Sequence, residues 1–215
     1  MKVQVSSIFS GGGRLPFFYE KLFPRDADAV ERQMQGRKFD ASLILGTAHR
    51  CRFGYPQVIV CSPLKGLTPF PTSLWLTCPW LVRLAGEAES NGGVGKLERW
   101  IKSHASRGWI PFHIDHQRLR LALLPGETLK YLRRFRHQVF ERIRHGGVGG
   151  IRYDRTAQEI RVKCLHLQTA SWLALGYHPG EKWLEAQGLN GSCRDEKEMV
   201  CGREKGGASC VEGTF

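Results

Sequence analysis

No apolar run in this chain approaches the roughly 18 to 20 residues needed to span a bilayer as a helix, because charged residues break every hydrophobic stretch. A membrane-spanning helix is excluded and a soluble protein is expected. Residues 1–13 hold one lysine and no apolar block of signal-peptide length, so export is not expected either. The seven cysteines contain no CxxC pair, and their number is odd. Without a secretory signal, that pattern reads as thiols in a reducing cytoplasm and not as a disulfide framework. Acid is the scarce charge. Twenty Asp and Glu face 32 Lys and Arg, a formal +12 at pH 7.

Of the 215 residues, 41% are hydrophobic and 10% aromatic, enough to bury a core and to exclude wholesale disorder. The positive charge is concentrated. Residues 118–163 carry twelve bases against four acids, two thirds of the net excess. Residues 190–215 are rich in Gly, Ser, Glu and Lys with few large apolar side chains, so they are expected to form a disordered tail. Residues 1–24 read as an N-terminal extension whose aromatics, Phe17, Phe18, Tyr19 and Phe23, dock on the body. The remaining 25–189 is expected to be a single domain.

Helical spacing and start signals predict a short helix at 26–34, closed by Gly36. Two β-rich segments, 42–51 and 57–62, flank Arg52-Phe53-Gly54-Tyr55-Pro56 and read as a hairpin. A third strand is expected at 74–77. Thr77-Cys78-Pro79 then signals a helix start, with Thr77 able to cap and Pro79 at the first helical position. A further helix ends near Gly108, and 116–124 leans towards helix. Leu129, Leu132, Phe135, Val139 and Ile143 form an apolar stripe that predicts one helix over 127–145. Short strands are expected at 151–153 and 159–163, and a last helix at 165–175. The fold class is α+β: a small, mainly antiparallel sheet with helices packed around it.

Three constellations of residues bear on chemistry. Arg50, Arg52, Thr72 and Lys163, together with the helix start at Thr77-Cys78, have the chemistry of an anion site. The run 145–150, His-Gly-Gly-Val-Gly-Gly, follows a helix and lacks the Lys-Ser/Thr ending of a phosphate loop, so it reads as a helix stop and mobile connection. Lys130, Arg133, Arg134, Arg136, Arg142 and Arg144 form a basic surface suited to a nucleic-acid backbone, or simply a solvated helix face. Cys51, Cys78, Cys164 and His166 are metal-ligand types for zinc or an iron-sulfur cluster, provided that 163–166 stays extended; otherwise the thiols are small buried hydrophobes, as Cys61 is expected to be. Cys78 at a helix start is expected to have a lowered pKa, which would make it a nucleophile with His166 or His49 as base.

The order of Gln33-x-x-Gly36-Arg37, Arg50-Cys51-x-x-Gly54-x-Pro56, Pro69-Phe70-Pro71-Thr72, Leu76-Thr77-Cys78-Pro79, Gly146-x-Val148-Gly149-Gly150-Ile151 and Lys163-Cys164-Leu165-His166-Leu167 resembles the bacterial domain-of-unknown-function 501 family. The resemblance implies a cytoplasmic bacterial protein and a loose association with cell-division and polyphosphate genes. Ser171 stands where many relatives carry His, and Tyr177-His178-Pro179-Gly180 replaces their Asn-Pro-x-Gly. The functional expectation is binding of a phosphate-bearing partner, a nucleic-acid backbone or a nucleotide-like ligand. A Cys/His metal protein and a thiol enzyme using Cys78 are the alternatives.

Overall fold

Seven strands and eight α-helices make up the described part of the computed structural model, which covers residues 2–5, 17–153, 159–193 and 201. The strands are β1 (Lys2–Val5), β2 (Phe17–Glu20), β3 (Ile44–Arg50), β4 (Pro56–Cys61), β5 (Leu64–Lys65), β6 (Thr68–Pro69) and β7 (Leu74–Leu76). Five pair in the order β1-β2-β3-β4-β7, every neighbour antiparallel, while β5 and β6 form a separate two-stranded ribbon. The helices are α1 (Pro24–Gln33), α2 (Pro79–Ser90), α3 (Gly93–His104), α4 (Ser106–Ala122), α5 (Gly126–Phe135), α6 (His137–His145), α7 (Leu165–Leu175) and α8 (Glu181–Ala186). This is an α+β arrangement.

Strand β4 lies inside the sheet, and all six of its residues are buried. Because strand side chains alternate, Val58 and Val60 face one side, where they join Leu81 of α2 and Leu165 and Ala170 of α7. Ile59 and Cys61 face the other side and pack with Val30 and Met34 at α1. The sheet is therefore covered by α1 on one face and by the larger helical body on the other. The hairpin, the strand at β7 and helices α1, α2 and α7 match the sequence reading to within a few residues. Residues 2–5 and 17–20, within the stretch read as an extension, supply two strands, and Phe17 is buried. Most of the expected tail, and the turn at 154–158, lie outside the described residues.

Residues 116–122 are helical, as the sequence leaned, while two other local expectations are corrected. Residues 116–124 were ambiguous because α4 is buried nearly all round: Trp109, Phe112, Leu119 and the polar His113, His116 and Arg120 are all enclosed, so hydropathy has no contrast to repeat. The helix expected at 127–145 is two helices, broken at Arg136 (φ −136°, ψ 50°). No Gly or Pro marks the break. It lets Leu132 and Ile143 both reach the cluster with Leu64 and Leu124, and it leaves Phe135 60% exposed. The strands expected at 151–153 and 159–163 are absent among the described residues there, where only an isolated bridge joins Gly146 to Arg152.

Candidate functional site

A cavity of about 330 Å³ opens between β7 and the start of α7, lined by Arg37, Thr72, Trp75, Lys163, Cys164 and His166 with Leu74, Leu76 and Leu167 as apolar wall. Four residues expected from sequence, Thr72, Lys163, Cys164 and His166, thus meet in one place. β7 delivers Trp75, whose indole N–H donates to the Thr72 carbonyl at 2.9 Å and whose ring stacks on Phe70. Arg37 donates to the Leu76 carbonyl at 3.0 Å and lies over the Trp75 ring. Burial lowers its pKa from the ordinary arginine value.

The Gly-rich run sits directly beside this cavity. Gly149 and Gly150 have positive φ (60° and 80°), and a Cβ on Gly149 would come within 2.5 Å of Leu167 and 3.0 Å of the Lys163 stem. The loop stops α6 as expected, but it is not a loose connection. Buried Arg120 donates to the carbonyls of Ile143, Pro71, Gly146 and Gly147, and the Val148 N–H donates to His113 Nδ1 at 3.0 Å. The loop backbone is thereby tied to Pro71, next to Thr72. Lys163 Nζ reaches the Gly149 carbonyl only at 3.5 Å.

Helix α7 begins under a cap from α2. Glu89 accepts from the N–H groups of Leu165 and His166 (the second at 3.3 Å) and from His166 Nδ1 at 2.9 Å. His166 Nε2 lies 3.1 Å from the Val82 carbonyl. Both ring nitrogens thus face acceptors, which fixes the plane of the ring. The first N–H groups of α7 are committed to Glu89, so this helix start is not itself an anion site. Cys164 is the extended residue before the helix (φ −167°, ψ 156°), and His166 stands on its first turn. Burial pushes the Cys164 thiol up. One ligand atom each of Glu89, Cys164 and His166 lies within 4.8 Å of the others, the one such trio among the described residues.

The other expected site residues stand elsewhere. Arg50 donates to both oxygens of Asp26 at 2.8 Å, to Glu20 at 2.8 Å and to the Gly54 carbonyl at 2.9 Å, which raises its pKa and fixes the start of α1 to the β3–β4 turn. Arg52 lies over the Phe53 ring in that same turn. Cys51 is in the turn too, its N–H bonded to the Tyr55 carbonyl, so neither it nor Cys78 joins Cys164 and His166. Cys78 is the residue before α2, buried beside the Gln57 amide, while Thr77 donates to the Pro56 carbonyl instead of capping. Burial outweighs the helix start and pushes the Cys78 thiol up to about 11, the reverse of the expected lowering. Cys61 is fully buried, as expected.

Sequence reasoning missed Glu89 and gave Arg37 no role. Glu89 lies 76 residues from Leu165 with nothing local to link them. Arg37 follows the glycine that ends α1, and only the fold turns it to β7. The six bases of the expected surface, Lys130, Arg133, Arg134, Arg136, Arg142 and Arg144, are all exposed on α5, α6 and their junction. The profile of a family described as "Protein of unknown function (DUF501)" matches residues 47–185. No curated protein and no solved structure matches the chain.

Proposed function

The chain belongs to the DUF501 family, a match that spans most of its length, and from the geometry we propose that it binds a small phosphate-bearing, nucleotide-like ligand in the cavity beside β7. One observation carries this reading. Two cations, Arg37 and Lys163, line one cavity, and neither has a carboxylate within ion-pair distance among the described residues. Cations left without a counter-charge beside apolar wall attract an anion more strongly than they would in open water. The Thr72 hydroxyl adds a donor, and the part of the Trp75 ring left uncovered by Phe70 and Arg37 adds aromatic surface, the pairing that a phosphate joined to a flat base calls for. The volume falls at the lower end for small-molecule sites.

Calorimetric titration with a mononucleotide and with inorganic phosphate tests the reading. Binding of the mononucleotide, lost in Lys163→Met and in Arg37→Met, is expected. A titration without heat from either probe, alongside a folded protein, overturns it.

A second reading rests on the Glu89–Cys164–His166 trio, which has the donor set of a zinc site with three protein ligands and one open position. Metal entry there has to displace the thiol proton and the Glu89–His166 hydrogen bond. Titration with cobalt(II) separates the two readings: a sulfur-to-metal charge-transfer band that disappears in Cys164→Ser supports the metal, and its absence removes it.

A further inference from the structure

The break at Arg136 creates a surface that a continuous helix would not have. Phe135 is 60% exposed and Tyr131 41%, and their rings lie 5.5 Å apart on the outer side of α5. Arg134 sits over Phe135 at 5.3 Å, while Arg133 lies over the neighbouring Phe140 at 5.6 Å. The corner therefore offers flat aromatic and guanidinium faces side by side.

Its charge is largely uncompensated. Glu127 is taken by Lys130 at 2.8 Å, and Glu141 by His145 at 2.6 Å and Arg144 at 3.3 Å. Arg133, Arg134, Arg136 and Arg142 have no carboxylate within ion-pair distance among the described residues. From this we infer that the α5–α6 corner docks single-stranded nucleic acid, the unpaired arginines neutralising phosphates while Tyr131 and Phe135 stack on bases. Only an unpaired strand exposes base faces to such rings; a duplex hides them and would use the arginines alone. A bilayer is a poorer fit, because the apolar faces of both helices are already spent on Leu64 and Leu124 and no broad apolar face is left to enter lipid. The surface shares no residue with the lining of the cavity, and the inference does not depend on the cavity reading.

Fluorescence anisotropy with a labelled pyrimidine oligonucleotide, single-stranded and as a duplex, reads this out on the full chain. Four phosphate contacts give a slope of log K against log salt of about −3 for a single strand, and Arg133→Gln with Arg136→Gln flattens it by about 1.4. Phe135→Ala is expected to weaken single-strand binding by about tenfold and to leave duplex binding unchanged. Its exposure makes folding insensitive to the change, which a melting curve checks. Lys163→Met should leave the strand affinity intact, so failure of the cavity reading and failure of this one are distinguishable. Equal affinity for strand and duplex, an unaltered Phe135→Ala, or binding confined to anionic lipid vesicles would each overturn the inference.

Discussion

Replacing Arg50 by Met isolates what the Arg50–Asp26–Glu20 network does. Asp26 is 2% exposed and receives both of its charge-assisted hydrogen bonds from this one guanidinium, with a third contact from the Phe23 N–H at 3.0 Å. Removing one partner of a buried pair costs about 3–5 kcal/mol, since the other charge is left enclosed. For a chain of this size that corresponds to a fall in melting temperature of roughly 6–20 °C. The pH dependence gives the sign. Burial alone would raise the Asp26 carboxyl, but the Arg50 and Phe23 hydrogen bonds outweigh it and hold the pKa below the ordinary value. The stabilisation is therefore complete above the unfolded pKa of about 4 and is lost as pH falls through the folded one. In the variant only the Phe23 N–H and the charge of Arg25 still oppose burial, so protonating Asp26 relieves more of its cost as pH drops. Circular-dichroism melts should show a large gap between parent and variant at pH 7 that narrows steadily into the acid range. A gap below about 1 kcal/mol, or one independent of pH, would refute the argument that Arg50 is a structural cation. Mononucleotide binding should survive Arg50→Met.

The buried histidines make acid sensitivity of a second kind: burial lowers His113 to about 4 and His178 to about 3, so the unfolded chain binds more protons and stability falls as pH drops from about 6.5 towards those values. A melting temperature flat from neutral to pH 5 would contradict that assignment. Cys78, pushed up to about 11, should react with iodoacetamide far more slowly than an exposed thiol near neutral pH, as followed by mass spectrometry; rapid selective labelling would restore the nucleophile reading. Gly147→Ala drives a Cβ into the His113 ring and is expected to cost at least about 1–3 kcal/mol in urea titration. Gly126→Ala, in open space at the start of α5, should be neutral or slightly stabilising by the same measurement.

Local rules succeeded where one residue governs its own neighbourhood. Pro79 one step after Cys78 set the start of α2, Gly176 closed α7, and the Gly54–Pro56 turn with β-rich flanks set the hairpin. Lys163, Cys164, His166 and Thr72 were legible as polar side chains lodged near element ends. The break at Arg136 was not, because no Gly or Pro encodes it; it follows from how two half-helices bury Leu132 and Ile143 against a common cluster. That choice also moved Phe135 from an apparent core stripe to the surface.

What the residues determined alone was the α+β class, the concentration of positive charge between 118 and 163, and the ends of the best-capped helices, all of which depend on composition or on contacts within one turn. Tertiary structure decided the partners. Arg50 went to Asp26, 24 residues away, and Glu89 went to the start of α7, 76 residues away. Burial, which no local pattern measures, then reversed the expected shift of Cys78 and left Arg37 and Lys163 as the two cations of the cavity without a carboxylate of their own.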